Sequence, residues 1–347
     1  MTNKRGLNMK YSFRNDYSEL CHPAILESLK NASEEQLTGY GLDQYSSKAA
    51  ELIKEKLQCE QCDIHFVAGG TQANLTVISH ILRPYEAVLS ATTGHINVHE
   101  TGAIEGTGHK VFAVPTNDGK LTPKDIENAL SIHSNEHMVK IGMVFISQST
   151  EMGTVYSKDE LTELYRCCKK NQLYLYIDGA RLSSGLAASD VNFEDLKDLC
   201  DVMYIGGTKI GLLLGEAIVI FHNQIKQHFR YHMKNRGAML AKGAVLGIQF
   251  LAAFQNDLYF ELGERENELA RYLSDALKQL GVPLLVESVT NQIFPIFSQE
   301  QVKSLSELYE FEIWQPVGNQ ICIRLVTSWF TTKDVCTAFI EDLKKIL

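Results

Sequence analysis

The sequence predicts an α/β protein: a mostly parallel sheet covered by helices, followed by a smaller α+β segment. Three observations carry this expectation. From about residue 48 to 221, helical and strand patterns alternate, which requires crossover connections between parallel strands. Beyond Phe221 the alternation stops, and two long helical stretches precede short strands and a terminal helix. At 347 residues, with 45% hydrophobic and 22% charged side chains, the chain is an ordinary globular protein of about two domains.

Taken in order, the first forty residues are polar and turn-rich, with one helix predicted to start at Pro23. Apolar residues recur at helical spacing over 48–57, and 63–67 is a short β-prone run. A Gly-Gly turn then opens a predicted helix over 71–82. Thr122-Pro123 reads as an N-cap with proline at the first helical position. Residues 139–146 form a β-branched, apolar strand. Ser157-Lys-Asp-Glu160 is a capping box, and Leu161, Leu164, Tyr165 and Cys168 follow it at i, i+3, i+4 and i+7. Strands are predicted over 173–177, 201–205 and 217–221. Helices over 238–255 and 260–280, short strands around 292–297 and 320–326, and a helix from Lys333 complete the chain. The expected division is an N-terminal segment 1–40 packing on the small domain or at a subunit interface, a large domain 41–250 and a small C-terminal domain 251–347.

Composition excludes several function classes. Lys plus Arg is 33 and Asp plus Glu is 42, a net charge of −9, which argues against nucleic acid or an anionic membrane as the main partner. The most apolar segment, 210–221, is 12 residues long and contains Glu216, too short and too charged to span a bilayer. The N-terminal Met-Thr-Asn-Lys-Arg lacks the apolar core of a signal peptide. Eight cysteines are too sparse for a disulfide scaffold, and the adjacent Cys167 and Cys168 suit reduced thiols in a cytoplasm. Cys59 and Cys62 form a C-x-x-C with no second pair at zinc spacing. His228 and His232 lie four apart with no third ligand evident, so no metal is expected.

Chemistry concentrates at three predicted strand ends. Ala68-Gly-Gly-Thr71-Gln-Ala-Asn74 is a glycine turn opening a helix, where bare N–H groups and a hydroxyl make an anion site; a plain βα turn is the alternative. Tyr176-Ile-Asp178-Gly-Ala-Arg181 places a carboxylate at the end of an apolar strand, where open α/β sheets bind ligands; an Asp capping the next helix is the alternative. Gly206-Gly-Thr-Lys209 places a lysine after two glycines, 31 residues beyond Asp178; it is either a surface charge or a nucleophilic amine. Together the three supply what pyridoxal 5′-phosphate (PLP) requires: an anion site for its phosphate, an acid for its ring nitrogen and an amine for its aldehyde.

With these residues in view, the sequence resembles the threonine aldolase family, in the β-eliminating lyase group of fold-type-I PLP enzymes. The matching blocks are Gly70-Thr71 with Asn74, His95 with Glu100, Asp178-Gly-Ala-Arg181, Gly207-Thr-Lys209 and Ile323-Arg324-Leu-Val-Thr327. The resemblance implies the PLP-dependent transferase-like fold and a cleavage of threonine-like L-β-hydroxy-α-amino acids to glycine and an aldehyde. It also implies roles: Lys209 carries the cofactor aldehyde, Asp178 faces the ring nitrogen, His95 stacks on the ring and Gly70 and Thr71 bind the phosphate. Arg181 lies near the ring oxygen and substrate carboxylate, and Arg324 grips that carboxylate. A homo-oligomer, dimer or tetramer, with shared active sites is implied as well, and Lys234 and Arg236 could then reach a phosphate across the interface. The sequence departs from the family pattern at Ser147-Gln-Ser-Thr-Glu-Met-Gly153. The histidine expected near the substrate hydroxyl is missing, with Gln148 or its neighbours in its place. Asn15 stands where a serine is expected at the carboxylate. His95 or a water is then left as base. Another PLP-dependent outcome (β-elimination or transamination) and a non-catalytic PLP-binding protein are the rival readings.

Overall fold

The computed structural model describes residues 10–347. A two-residue strand β1 (Tyr11–Ser12) precedes α1 (Pro23–Asn31), which opens on its proline as expected. Helix α2 (Gln44–Lys56) starts ahead of its apolar periodicity because Asp43 caps it, accepting from the backbone N–H of Tyr45 at 3.0 Å and of Ser46 at 2.9 Å. The alternating stretch then runs β2 (Asp63–Val67), α3 (Gly70–Ile81), β3 (Glu86–Ala91), the single turn α4 (His95–Val98), β4 (Lys110–Val114) and α5 (Pro123–Ile132). It continues through β5 (Lys140–Ser147), α6 (Lys158–Lys170), β6 (Tyr174–Gly179), α7 (Leu182–Ala187), β7 (Val202–Gly206) and β8 (Glu216–Ile220). Strands β3 and β4 have no counterpart in the sequence reading. β3 is the Ala- and Ser-rich run Glu-Ala-Val-Leu-Ser-Ala, and its place between β4 and β5 decides its state.

Strands β2 to β8 form one seven-stranded sheet in the order β2-β8-β7-β6-β5-β3-β4. β8 runs antiparallel to both its neighbours, and the pairs among β3 to β7 are parallel. Alternate residues face opposite sides, as strand geometry dictates. Leu89, Ile177, Met203 and Ile205 join one buried cluster with α2, α5, α6 and a later helix that carries Phe250 and Phe254. Val88, Tyr176, Val202 and Tyr204 join another with α3. Both faces are therefore covered.

Beyond the sheet lie α8 (Asn223–Lys226), α9 (Phe229–Asn235), α10 (Ala244–Gln255) and α11 (Leu258–Gln279). Helix α10 starts six residues later than the apolar pattern suggests; Gly237, at a φ of +68°, turns the chain after α9, and residues 238–243 remain a loop. Then come β9 (Gln292–Ile293), β10 (Ile296–Phe297), α12 (Gln299–Leu308), β11 (Tyr309–Glu310), β12 (Glu312–Val317), β13 (Gln320–Val326) and α13 (Lys333–Ile346). β13 pairs antiparallel with β9, β10 and β12, while β1 pairs parallel with β11. Phe13 is buried with Leu273, Phe297, Ile323 and Phe339, so the start of the described chain packs on this C-terminal unit. Among the described residues no helix is long and apolar enough to cross a membrane.

Candidate active site

The parallel strands end on one edge of the sheet, and that edge is where the chemistry-bearing residues meet. Ser147 at the end of β5 pairs with Asp178 on β6, and Asp178 pairs with Tyr204 on β7. Because β8 is antiparallel it begins where its neighbours end, and so Glu216 pairs with Gly206 on β7 and Val67 on β2. A cleft of about 520 Å³ opens above this edge. Gly70, Thr71, His95, Arg181, Lys209 and Arg324 all line it.

Asp178, 2% exposed, lies beneath the floor and is bonded to two of the residues that form it. Its Oδ1 accepts from the Tyr204 hydroxyl at 2.5 Å and from the backbone N–H of Ala180 at 2.9 Å; its Oδ2 accepts from Asn74 Nδ2 at 3.2 Å. Burial, with Asp178 beside it, pushes the Tyr204 hydroxyl well above the usual tyrosine range, so this phenol keeps its proton as a donor. Asn74 Nδ2 also donates to Glu100 Oε1 at 2.7 Å, and Asn74 Oδ1 accepts from the Tyr176 hydroxyl at 2.8 Å. His95 Nδ1 is 2.8 Å from the same Glu100 oxygen. That oxygen already accepts from Asn74, so Nδ1 carries the hydrogen and Nε2 is left as the ring's acceptor.

Lys209 stands in a single turn, Thr208–Ile210, directly after β7. The preceding glycines are required by close packing: a Cβ on Gly206 would meet the Ala180 carbonyl oxygen at 2.4 Å, and one on Gly207 the Gly215 oxygen at 2.5 Å. Lys209 Nζ has no hydrogen-bond or ion-pair partner among the described residues. Burial and the Arg181 charge hold its amine below the ordinary lysine range, which favours the neutral nucleophile. Beside it Glu216 accepts from the backbone N–H of Gly207 at 2.8 Å and the Thr208 hydroxyl at 2.9 Å. Burial pushes the Glu216 carboxyl up to about 7.

The two arginines are held by acids of the chain. Arg181 grips Asp16 bidentately, Nε to Oδ2 at 2.6 Å and Nη2 to Oδ1 at 3.1 Å, and Asn291 Nδ2 donates to Asp16 Oδ2 at 3.0 Å. Arg324 Nη2 pairs with Glu312, its Nη1 donates to Gln292 Oε1 at 3.3 Å, and its guanidinium lies 5.3 Å from the Trp314 ring. Glu312 itself lines the cleft.

One sequence expectation, Asn15, needs correction, and another, Gln148 or its neighbours, narrows to a neighbour. Gln148 does not face the cleft. It is fully buried and its amide spans Tyr156, accepting from that residue's N–H at 2.9 Å and donating to its carbonyl at 3.1 Å. The neighbour that does line the cleft is Glu151. Asn15 is not among the lining residues either; its Oδ1 accepts from the Tyr17 N–H at 3.0 Å and the Ser18 hydroxyl at 2.9 Å, a local turn. Tyr17 reaches the rim in its place. Glu151, Glu216, Tyr204 and His99 escaped sequence reasoning because no local pattern marks a residue that only strand register brings to the edge. The other flagged groups lie outside the cleft. His232 Nε2 pairs with Ser79 Oγ at 2.9 Å, Cys62 Sγ with the Cys59 carbonyl, and Lys234 stands 4.5 Å from the Tyr40 ring.

The residues present fit pyridoxal phosphate. Gly69 makes no side-chain cap for α3, so the first N–H groups of that helix, at Gly70 and Thr71, are left for an anion. A Cβ built on Gly69 meets nothing within 4 Å, so the turn is open on that side. A buried carboxylate beneath the floor and an unpartnered amine beside it complete the donor set.

Comparisons with known proteins agree with this geometry. The model of the β-eliminating lyase family matches residues 18–300. A low specificity L-threonine aldolase of Pseudomonas aeruginosa is 28% identical over 338 residues, covering 96% of each chain. The solved structure of a Leishmania major threonine aldolase is 44% identical with a TM-score of 0.96, covering 97% of this chain and 99% of the other. A serine palmitoyltransferase from S. paucimobilis, solved with bound PLP, shares the fold at 15% identity and a TM-score of 0.71, covering 97% of this chain and 86% of that one.

Proposed function

The chain belongs to the β-eliminating lyase family and, within it, to the threonine aldolases; from that premise we propose a PLP-dependent lyase that cleaves threonine-like L-β-hydroxy-α-amino acids to glycine and an aldehyde. The observation that carries this reading is the unpartnered Lys209 amine in one cleft with the bare N-terminus of α3, immediately above Asp178. Bound there, the cofactor supplies an electron sink for the bonds at the substrate Cα.

The residues of the chain divide the remaining work. The first N–H groups of α3 and the Thr71 hydroxyl hold the phosphate. Asp178, fixed by Tyr204, Ala180 and Asn74, presents its charge to the ring nitrogen. Lys209 would provide the amine for the cofactor's aldehyde. His95, oriented by Glu100, would stack on the ring face. Arg324 and Arg181 supply the positive charge that receives the substrate carboxylate. A homo-oligomer with shared active sites belongs to the same proposal, supported by the large apolar side chains Leu20, Tyr40, Leu42 and Tyr231 that stand exposed. A cytoplasmic location is supported by eight unpaired cysteines.

The test is product analysis. Purified holoenzyme given L-threonine releases acetaldehyde and glycine, and Lys209→Ala reduces this to background while borohydride no longer fixes cofactor to the chain. Ammonia and keto acid without acetaldehyde would overturn the aldolase reading. A reducible adduct persisting in the variant would show that another lysine carries the cofactor.

A further inference from the structure

The family pattern places a histidine near the substrate hydroxyl, and this chain has none at that point. Glu151 lies on the wall of the cleft, in the loop after β5, and is 9% exposed. Its two oxygens are unequal. Oε1 accepts both the backbone N–H of His95 at 2.9 Å and the Ser147 hydroxyl at 2.8 Å. Oε2 has no hydrogen-bond partner among the described residues. Of the other buried carboxylates here, Asp178 is bonded to Tyr204, Ala180 and Asn74, and Glu216 to Gly207 and Thr208, while Glu100, whose Oε2 is also unpartnered, does not line the cleft. Glu312, at the rim, is tied to Arg324.

Oε2 keeps access to the cleft, so a ligand that fills the cleft and displaces solvent must offer this oxygen a donor or leave it unpaired. The substrate's carboxylate is not a donor, and two arginines already supply its countercharge. Its amine belongs at Lys209. The one remaining donor of a β-hydroxy-α-amino acid is its hydroxyl. We propose that Glu151 Oε2 accepts the hydrogen of the substrate β-hydroxyl and makes the site select β-hydroxy amino acids over their deoxy counterparts. This deepens, and rests on, the aldolase reading. Anchoring of Oε1 by two donors fixes the carboxyl plane, so Oε2 is pre-set toward the cleft without an entropy cost at binding. Selection of this kind is strong, because a ligand lacking the hydroxyl leaves the oxygen desolvated and unpaired.

Glu151→Gln separates the two oxygens. The amide keeps an oxygen for the His95 and Ser147 donors, and those donors dictate that its NH₂ occupies the Oε2 position, replacing an acceptor by a donor. Two readouts on the holoenzyme are needed. One is kcat/KM for L-threonine. The other is the dissociation constant, from ligand-detected NMR, of 3-hydroxybutyrate and of butyrate, neither of which has an amine to react. The native protein should bind the hydroxy acid about tenfold or more tightly than butyrate, the size expected for a hydrogen bond to a charged group. In the variant this preference falls to near unity, butyrate affinity stays within about twofold, and kcat/KM drops by about ten- to a hundredfold. Preference retained in the variant, or absent from the native protein, overturns the proposal. So does equal weakening of both acids, which would make Glu151 only a support for α4. Absence of aldehyde from native protein and threonine would instead refute the aldolase reading, with the acid pair still deciding what Glu151 recognises.

Discussion

At the scale of single residues, the site combines buried acids with a buried amine, and burial gives each an altered proton affinity. Glu216 is the clearest case. Its folded carboxyl is pushed up to about 7, above the unfolded value, so the folded chain keeps a proton that the unfolded chain has already released. Stability from this group therefore falls as pH rises through that interval and is level above it. Glu216→Gln removes the slope, since an amide has no proton to lose and can still face Gly207 and Thr208. Measured without cofactor, the variant should gain stability over the native chain between pH 5 and pH 8, by about 1–3 kcal/mol. Parallel unfolding curves at both pH values would contradict this. The residues legible in the sequence at this scale, Lys209, Asp178, Gly70 and Thr71, each stand at or just beyond a strand end beside glycine. Glu151 and Glu216 were not legible, because a carboxylate in an apolar or polar run carries no mark of which side chains surround it.

At the scale of elements, terminal chemistry was the most readable feature. The Ser157 capping box is present as predicted: Ser157 Oγ accepts from the Glu160 N–H at 3.2 Å, and Glu160 Oε2 accepts from the Ser157 N–H at 2.8 Å. The apolar stripe behind it, Leu161, Leu164 and Cys168, is fully buried under the sheet. Ser157→Ala should cost about 1 kcal/mol in denaturant unfolding while leaving cofactor binding unchanged, because α6 is remote from the cleft. Caps can be read because their partners lie three residues away. The start of α10 could not, since its apolar pattern continues through a loop that Gly237 and the packing around it define. Strand β3 was missed for a related reason: neighbouring strands, rather than its own weak propensity, hold it extended, whereas β4, Lys-Val-Phe-Ala-Val, carries β-prone residues that the sequence reading passed over.

At the scale of the whole molecule, Arg181, Asp16 and Asn291 tie three distant parts of the chain together: the end of β6, the segment after β1 and the approach to β9. Burial alone would raise the Asp16 carboxyl, but Arg181, with Lys209 behind it, outweighs that and holds it below its usual range. Its stabilising contribution is thus present above the ordinary aspartate range and lost as pH falls. Asp16→Ala leaves a buried guanidinium unpaired and should destabilise the fold by about 3–5 kcal/mol, read by chemical unfolding. A loss below about 1 kcal/mol, the range of exposed pairs, would show that the tie is not structural. The sequence by itself determined the α/β alternation, the helix caps, the glycine turns and the lysine and aspartate at their strand ends, since each depends on neighbours within a few residues. Tertiary structure alone decided that Glu216 lines the same cleft as Lys209, that Glu151 rather than Gln148 faces that cleft, and that Arg181 is held by Asp16. Those pairings come from strand register and from chain crossings of many residues, and side chains brought together over such separations leave no periodicity in the sequence.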